Sequence, residues 1–252
     1  MIKFYFNNLL EDASLDPTTE NAQFPASNTQ DSRRTKVYRS TSNEDDLILD
    51  IGANEEMDSF FIVDNPQDGF GVNALTVEAN TTSSFATPLL SEEITLNNKY
   101  GQGFLKFDQV SARFIKLEMT STLGYCELSN FFIGKELELI DGKSINFGWT
   151  HQERELINKS FNRSGQQFSD LIGTQRAFNV SFTNLTKDQL EQLDEIYDFC
   201  GTFKPFFVRI GCPDITNSME RFSGMVFLQS KPVKTNSFFN RYQLSMELVE
   251  VR

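Results

Sequence analysis

Histidine is nearly missing from this chain: His151 is the only one in 252 residues. Histidine-based metal sites need more than one, and a Ser-His-Asp triad would have to be built on His151, beside which nothing places a nucleophile. Cysteine is scarce too, with Cys126, Cys200 and Cys212 odd in number and widely spaced. That pattern excludes a disulfide framework and a cysteine-rich metal site, and leaves free thiols as the expectation. No apolar run approaches the roughly 18 residues of a membrane span. Met1-Ile-Lys-Phe4 leads straight into strand-like sequence, so a secretory h-region and cleavage site are not expected. Glycine-rich phosphate cradles are absent, since Gly165 and Gly173 stand alone.

Positive charge is the next shortage. Lys and Arg total 23 against 35 Asp and Glu, a net charge of −12 that falls mostly in the first half. Nucleic-acid backbones need clustered positive charge, so that class of partner is excluded. One basic cluster breaks the pattern, Arg33-Arg34-Thr35-Lys36 with Arg39, and it suits local salt bridges or a contact between subunits. The acidic run Glu44-Asp45-Asp46 with Asp50 offers oxygen ligands of the kind Ca²⁺ takes, but lacks EF-hand spacing and reads as a solvated loop. Glycoside hydrolysis needs two carboxylates about 5–9 Å apart, and nothing singles out a pair. We therefore assign no catalytic residue, no metal ligand and no cofactor, and expect a protein that is not an enzyme.

What the chain has in abundance is phenylalanine, 25 residues of it. Phenylalanine at that density suits β-strands and sheet-on-sheet cores. Ile2–Phe6, Leu47–Gly52, Ser59–Val63, Asn73–Ala79, Gly103–Phe107, Ala112–Met119 and Tyr125–Ile133 read as short strands, with Asn7–Ser42 mostly loop. The texture changes near residue 140. Beyond it the strands are longer and more aromatic, as in Ala177-Phe-Asn-Val-Ser-Phe182 and Lys204-Pro-Phe-Phe-Val-Arg-Ile210. Between those two, Thr186 is placed to cap a helix with Gln189 three positions on. Leu190, Leu193, Ile196 and Tyr197 follow at helical spacing, and Gly201 stops the run.

The expected architecture is mainly β, in two domains. Residues 1–140 would form a jelly-roll-like β-sandwich. Residues 141–252 would form an antiparallel sheet or barrel with one packed helix, 187–200. Phe203, Phe206 and Phe207, with Arg176, are the candidate inter-subunit contacts, because aromatics and arginine anchor interfaces. Asn65, Asp68, Asn80 and Ser83 lie on candidate rim loops of the sandwich.

Several segments in order resemble a known family. Phe24-Pro-Ala-Ser-Asn28, Lys36-Val-Tyr-Arg-Ser40 and Leu49-Asp-Ile-Gly52 resemble the opening of bacteriophage distal-tail and tail-tip proteins. Arg113–Glu118 and Gly124–Ser129 resemble the closing strands of discoidin-like, galactose-binding-like sandwiches. Arg176–Phe182, Thr186–Cys200, Gly201–Val208, Phe222–Gly224 and Tyr242–Glu250 are similar to the ring-forming domain of the tail proteins. The resemblance implies a virion structural protein assembled in the host cytoplasm. It also implies a ring homo-oligomer, for instance a hexamer, bound to neighbouring tail proteins. Discoidin-like domains bind sugars or calcium, so a host surface glycan is a further implied partner. The alternatives are a carbohydrate-binding adhesin module and, behind it, a glycan hydrolase. No nucleic acid and no membrane insertion are expected.

Overall fold

The computed structural model describes residues 2–64, 69–99, 101–137, 146–161, 164, 166–211 and 221–251. In chain order the strands of the first stretch are β1 (Ile2–Tyr5), β2 (Ser14–Pro17), β3 (Tyr38–Arg39), β4 (Glu44–Val63) and β5 (Ala74–Asn80). They continue with β6 (Leu90–Glu93), β7 (Leu96–Asn97), β8 (Gln102–Thr120), β9 (Glu127–Leu128) and β10 (Phe131–Gly134). There follow β11 (Asn146–Phe161), β12 (Gln167–Leu185), α1 (Lys187–Cys200), β13 (Phe206–Ile210), β14 (Ser223–Leu228), β15 (Val233–Phe238) and β16 (Arg241–Glu250). Among the described elements the chain is thus mainly β, with one α-helix. It divides into two compact units: unit 1 holds residues 1–137 and 206–225, and unit 2 holds residues 138–205 and 226–251.

Unit 1 is organised by β4 and β8, which pair antiparallel from Glu44↔Thr120 to Val63↔Gln102. The sequence reads each of them as two short strands. The breaks are only register shifts, between Asp50 and Glu55 and between Met57 and Ser59, after which pairing resumes. Gly52, at φ +83°, supplies the backbone conformation at the first of these. It does not end the strand, which is a correction to the expected glycine turn. Glu44–Asp50 likewise lies in β4 and not in a loop.

The two halves of β4 are buried differently. Leu47 and Leu49 alternate with Ile48 and Asp50, as a strand with one covered face requires. Phe60, Phe61, Ile62 and Val63 are buried without a break, so this half is covered on both faces. On one face Phe60 and Ile62 join Phe131, Ile133, Leu75, Val77, Ile115 and Leu117 in the main core. The Phe60 and Phe131 rings stack at 5.4 Å. On the other face Phe61, Phe104 and Phe132 meet Tyr5 of β1 and Phe207 of β13. The Tyr5–Phe132, Tyr5–Phe104 and Phe61–Phe207 centroid distances are 5.6, 5.7 and 5.0 Å.

That second face depends on strands from distant parts of the chain. β1 pairs antiparallel with β13, Ile2↔Ile210 to Tyr5↔Phe207. This is why residues 206–225 cluster with unit 1 and not with the second domain expected over 141–252. The expected boundary at 140 falls outside the described residues, as does Cys212. It also corrects the interface reading. Phe206 and Phe207 are buried within this chain's own unit and are not open to a partner.

Unit 2 carries an antiparallel sheet in which β12 pairs β11 along its length and β16 on its other side, with β15 on β16. Val226–Leu228 of β14 also pair with β16. Among the described residues this sheet does not close into a barrel. Helix α1 begins with a complete capping box. Thr186 Oγ1 accepts from the Gln189 N–H at 3.3 Å, and Gln189 Oε1 accepts from the Thr186 N–H at 2.9 Å. Gly201, at φ +58°, closes the helix, which buries Leu193, Ile196 and Cys200. Arg176 lies on β12 with its guanidinium donating to Glu250 Oε1 at 2.6 Å.

Two outcomes follow. Phe61→Ala should lower the unfolding free energy by about 3–5 kcal/mol, because it opens a cavity where a fully buried ring stood. Phe203→Ala, at an exposed ring, should change it by less than about 0.5 kcal/mol. Urea unfolding followed by fluorescence and circular dichroism checks both. Asp58 supplies a pH-dependent component. Burial by itself would raise its pKa, but hydrogen bonds from Lys106, Ser59 and the Glu136 N–H hold it below the usual carboxylate value. A lowered folded pKa stabilises above the unfolded value, and that stability is lost as pH falls through the folded value. Asp58→Asn should therefore flatten the decline in stability below roughly pH 4, measured as melting temperature against pH.

Candidate functional site

The loops at one end of unit 1 hold a cluster of aromatic and charged side chains centred on Arg39. β3 and β9 form a short antiparallel ladder, Tyr38↔Leu128 and Arg39↔Glu127. Gly71 makes a further antiparallel bridge to Glu127, whose N–H donates to the Gly71 carbonyl at 3.2 Å. Arg39 and Glu127 thus share one face of the ladder. Arg39 Nε donates to Glu127 Oε2 at 3.0 Å, and Nη2 reaches the same oxygen. The guanidinium carbon sits 4.4 Å from the ring centres of both Phe24 and Tyr125, so the cation is held against two half-buried aromatic rings. Glu127 is sequestered (its side chain is 3% exposed) while Arg39 keeps 24% of its side chain open. The carboxylate orients the guanidinium, and part of the Arg39 side chain stays open to solvent.

Tight local bonding holds these loops. The Arg39 N–H donates to the Phe24 carbonyl at 2.9 Å, and the Asn21 N–H to the Arg39 carbonyl at 2.9 Å. Beneath them the buried Tyr38 hydroxyl donates to Asp45, which also accepts from the Thr19 N–H and hydroxyl at 2.8 and 2.9 Å. Burial and then the Asp45 carboxylate raise the Tyr38 pKa, so the phenol stays a donor. The Cys126 N–H donates to Ser40 Oγ at 2.7 Å, and the Thr122 N–H to Asn73 Oδ1 at 2.7 Å, tying the Tyr125 loop down at both ends. Burial pushes the Cys126 thiol up to about 11, so it is not a nucleophile at neutral pH. Beside Gly71, a groove of about 410 Å³ runs between Phe70, Val72, Asn73 and the segment Glu93–Leu96.

The candidate residues from the sequence do not converge here. Asn65 and Asp68 lie outside the described residues. Asn80 ends β5 at the end opposite Asn73, where its amide donates to the Ser84 carbonyl at 2.6 Å, and Ser83 is exposed in the same loop. Phe203 is exposed, Phe206 and Phe207 are core, and Arg176 is ion-paired. The acidic run is dispersed as well: Asp45 serves Tyr38 and Thr19, and Asp50 binds Arg113 at 2.7 Å. Among the described residues no group of three or more His, Cys, Asp or Glu could hold a metal ion. No helix among them is long and apolar enough to cross a membrane.

The basic cluster resolves into salt bridges within the chain: Arg33 with Asp31, Arg34 with Asp64, Arg39 with Glu127. The sequence reading missed Phe24, Tyr125 and Glu127 as one cluster, because Arg39 and Glu127 are 88 positions apart.

No protein-family model matches the chain, and no curated protein sequence matches it. Solved structures do. The family 32 CBM from C. perfringens NanJ in complex with galactose is 16% identical, covering 53% of this chain and 98% of that one, at a TM-score of 0.43. A Streptococcus pneumoniae fucose binding module is 11% identical over 51% and 95% of the two chains, at 0.43. A chitosan-binding module from a chitosanase/glucanase of Paenibacillus sp. IK-5 is 16% identical over 50% and 98%, at 0.41. These are carbohydrate-binding modules and not phage tail proteins. The expectation of a tail or tail-tip component in a ring homo-oligomer is corrected accordingly, and the burial of Phe206 and Phe207 removes the aromatic interface drawn for it.

Gly71→Ala tests whether the ladder under Arg39 tolerates any side chain. A Cβ there would lie 2.2 Å from the Glu127 Cβ and 3.0 Å from its Cα. The substitution should cost about 1–3 kcal/mol by forcing the bridge apart, seen as a lower melting temperature in calorimetry.

Proposed function

We propose that unit 1 is a carbohydrate-binding module, a jelly-roll-like sandwich of the galactose-binding-like kind. In this reading the saccharide is held at the Arg39 end. The observation that carries it is the Phe24–Arg39–Tyr125 stack, oriented by a buried Glu127. Sugars present apolar C–H faces and hydroxyls together. Half-buried rings take the former, and guanidinium N–H groups donate to the latter. A cation fixed by its own carboxylate needs no rearrangement to bind, which lowers the ordering cost of association. The chemistry favours a neutral sugar, since Glu127 already balances the Arg39 charge. The role is binding without turnover: the Arg39 end offers no activated nucleophile and no acid–base pair aimed at open space.

A glycan array probed with the full chain should return saccharide hits, confirmed by calorimetric titration. Tyr125→Ala should weaken the best hit about tenfold or more while the circular dichroism spectrum is kept. Arg39→Lys, which keeps the charge but loses the planar fork, should weaken it by a similar factor. Unchanged affinity in both variants, or an array without hits, would sink the proposal.

A further inference from the structure

Gln102, the first residue of β8, is buried with both polar atoms of its side-chain amide lacking a hydrogen-bond partner. Such orphans cost about 1–3 kcal/mol each, and native proteins keep few of them. Gln102 also lines a pocket of about 130 Å³, together with Thr95, Asn97, Phe104 and Arg209. Register explains the grouping. Asn97 is the cross-strand partner of Gln102, and Phe104 follows two positions along β8, so the three share one face of the sheet. Arg209 arrives from β13 and lays its guanidinium 3.5 Å over the Phe104 ring.

The charges around it are unevenly matched. Glu136 is paired with Lys3, and Asp58 with Lys106. Among the described residues no carboxylate pairs with Arg209, which acts on the Tyr5 hydroxyl and on Phe104. In a chain of net charge −12, a cation left without an anion beside an unbonded amide calls for an anion from outside.

We propose that this pocket binds a carboxylate bearing a neighbouring hydroxyl. The carboxylate accepts from Arg209 and from Gln102 Nε2, and the hydroxyl donates to Gln102 Oε1, once the amide turns toward the pocket. The pocket, about 130 Å³, is small and lined on its polar side by Thr95, Asn97, Gln102 and Arg209, which suits the head group of an α-hydroxy acid. The head group can come from a small hydroxy acid or from the end of an open-chain sugar acid. Thr95 also lines the groove beside Gly71, but the pocket contains none of Phe24, Arg39, Tyr125 and Glu127 and does not rest on the proposed glycan binding.

The test titrates the full chain with L-lactate, D-gluconate, acetate and 1,2-propanediol, read by calorimetry and by melting temperature. Lactate should bind and raise the melting temperature, with acetate and propanediol each at least about tenfold weaker because each lacks one half of the recognised pair. Gluconate binding alongside lactate assigns the sugar acid as a source, and lactate alone assigns the small acid. Gln102→Leu, which removes the orphaned amide at similar size, should abolish lactate binding while melting no lower than the parent without ligand. Arg209→Gln should do the same to binding. Acetate or propanediol binding as tightly as lactate overturns the proposal. So does lactate affinity unchanged in Gln102→Leu, or a pocket that takes up none of the four compounds.

Discussion

Burial of one sheet on both of its faces is the constraint on which unit 1 rests. β4, β8 and β10 present Phe60, Ile62, Phe131 and Ile133 to one layer and Phe61, Phe104 and Phe132 to another. A sheet covered on one side only could keep the second set in water at a cost of about 1.5–3 kcal/mol for each large side chain. Tyr5 and Phe207 prevent that. Tyr5 also carries a polar end into the layer, where burial and then Glu136 raise its pKa, so that its hydroxyl donates to that carboxylate at 2.9 Å. The aromatic layer and the ion pairs around Glu136 are therefore one assembly, and the pocket at Gln102 borders it through Phe104 and Arg209.

The loop end obeys a different rule. Above the buried Tyr38, a cation is held against two rings by a carboxylate from another strand. Its geometry depends on the two-residue ladder of β3 and β9 and on the absence of a side chain at Gly71. Rigid placement of a few polar atoms beside aromatic faces is what a recognition surface requires, and short ladders tied by side-chain bonds achieve it without a second core.

Local features of the fold were legible in the sequence, and distant pairings were not. Thr186, Gln189 and Gly201 mark helix α1 because capping is decided within a few residues. The unbroken apolar run at Ser59–Val63 reads as a covered strand for the same reason. Strand lengths were underestimated: Asp50–Glu55 looks like a turn, yet the partner strand carries the pairing through it. Phe203, Phe206 and Phe207 look alike in sequence. Only the pairing of β1 with β13 distinguishes the exposed ring from the two buried ones. The Arg39 cluster draws on loops from four places in the chain, and its members carry no local mark. Resemblance by ordered short segments led to tail proteins because hydrophobic strands ending in glycine recur in many β-proteins.

The pairing of β1 with β13 also sets an order of events in synthesis. A strand made among the first residues must wait for its partner until some two hundred residues more have been added. Until then the aromatic layer of unit 1 has one open side, and the intervening β11, β12 and α1 are already made. Unit 1 cannot be completed by its first 137 residues alone, and the two units interleave along the chain, since unit 2 takes residues 138–205 and 226–251. For a growing polypeptide, that open aromatic face is the interval of greatest exposure to chaperones and to aggregation.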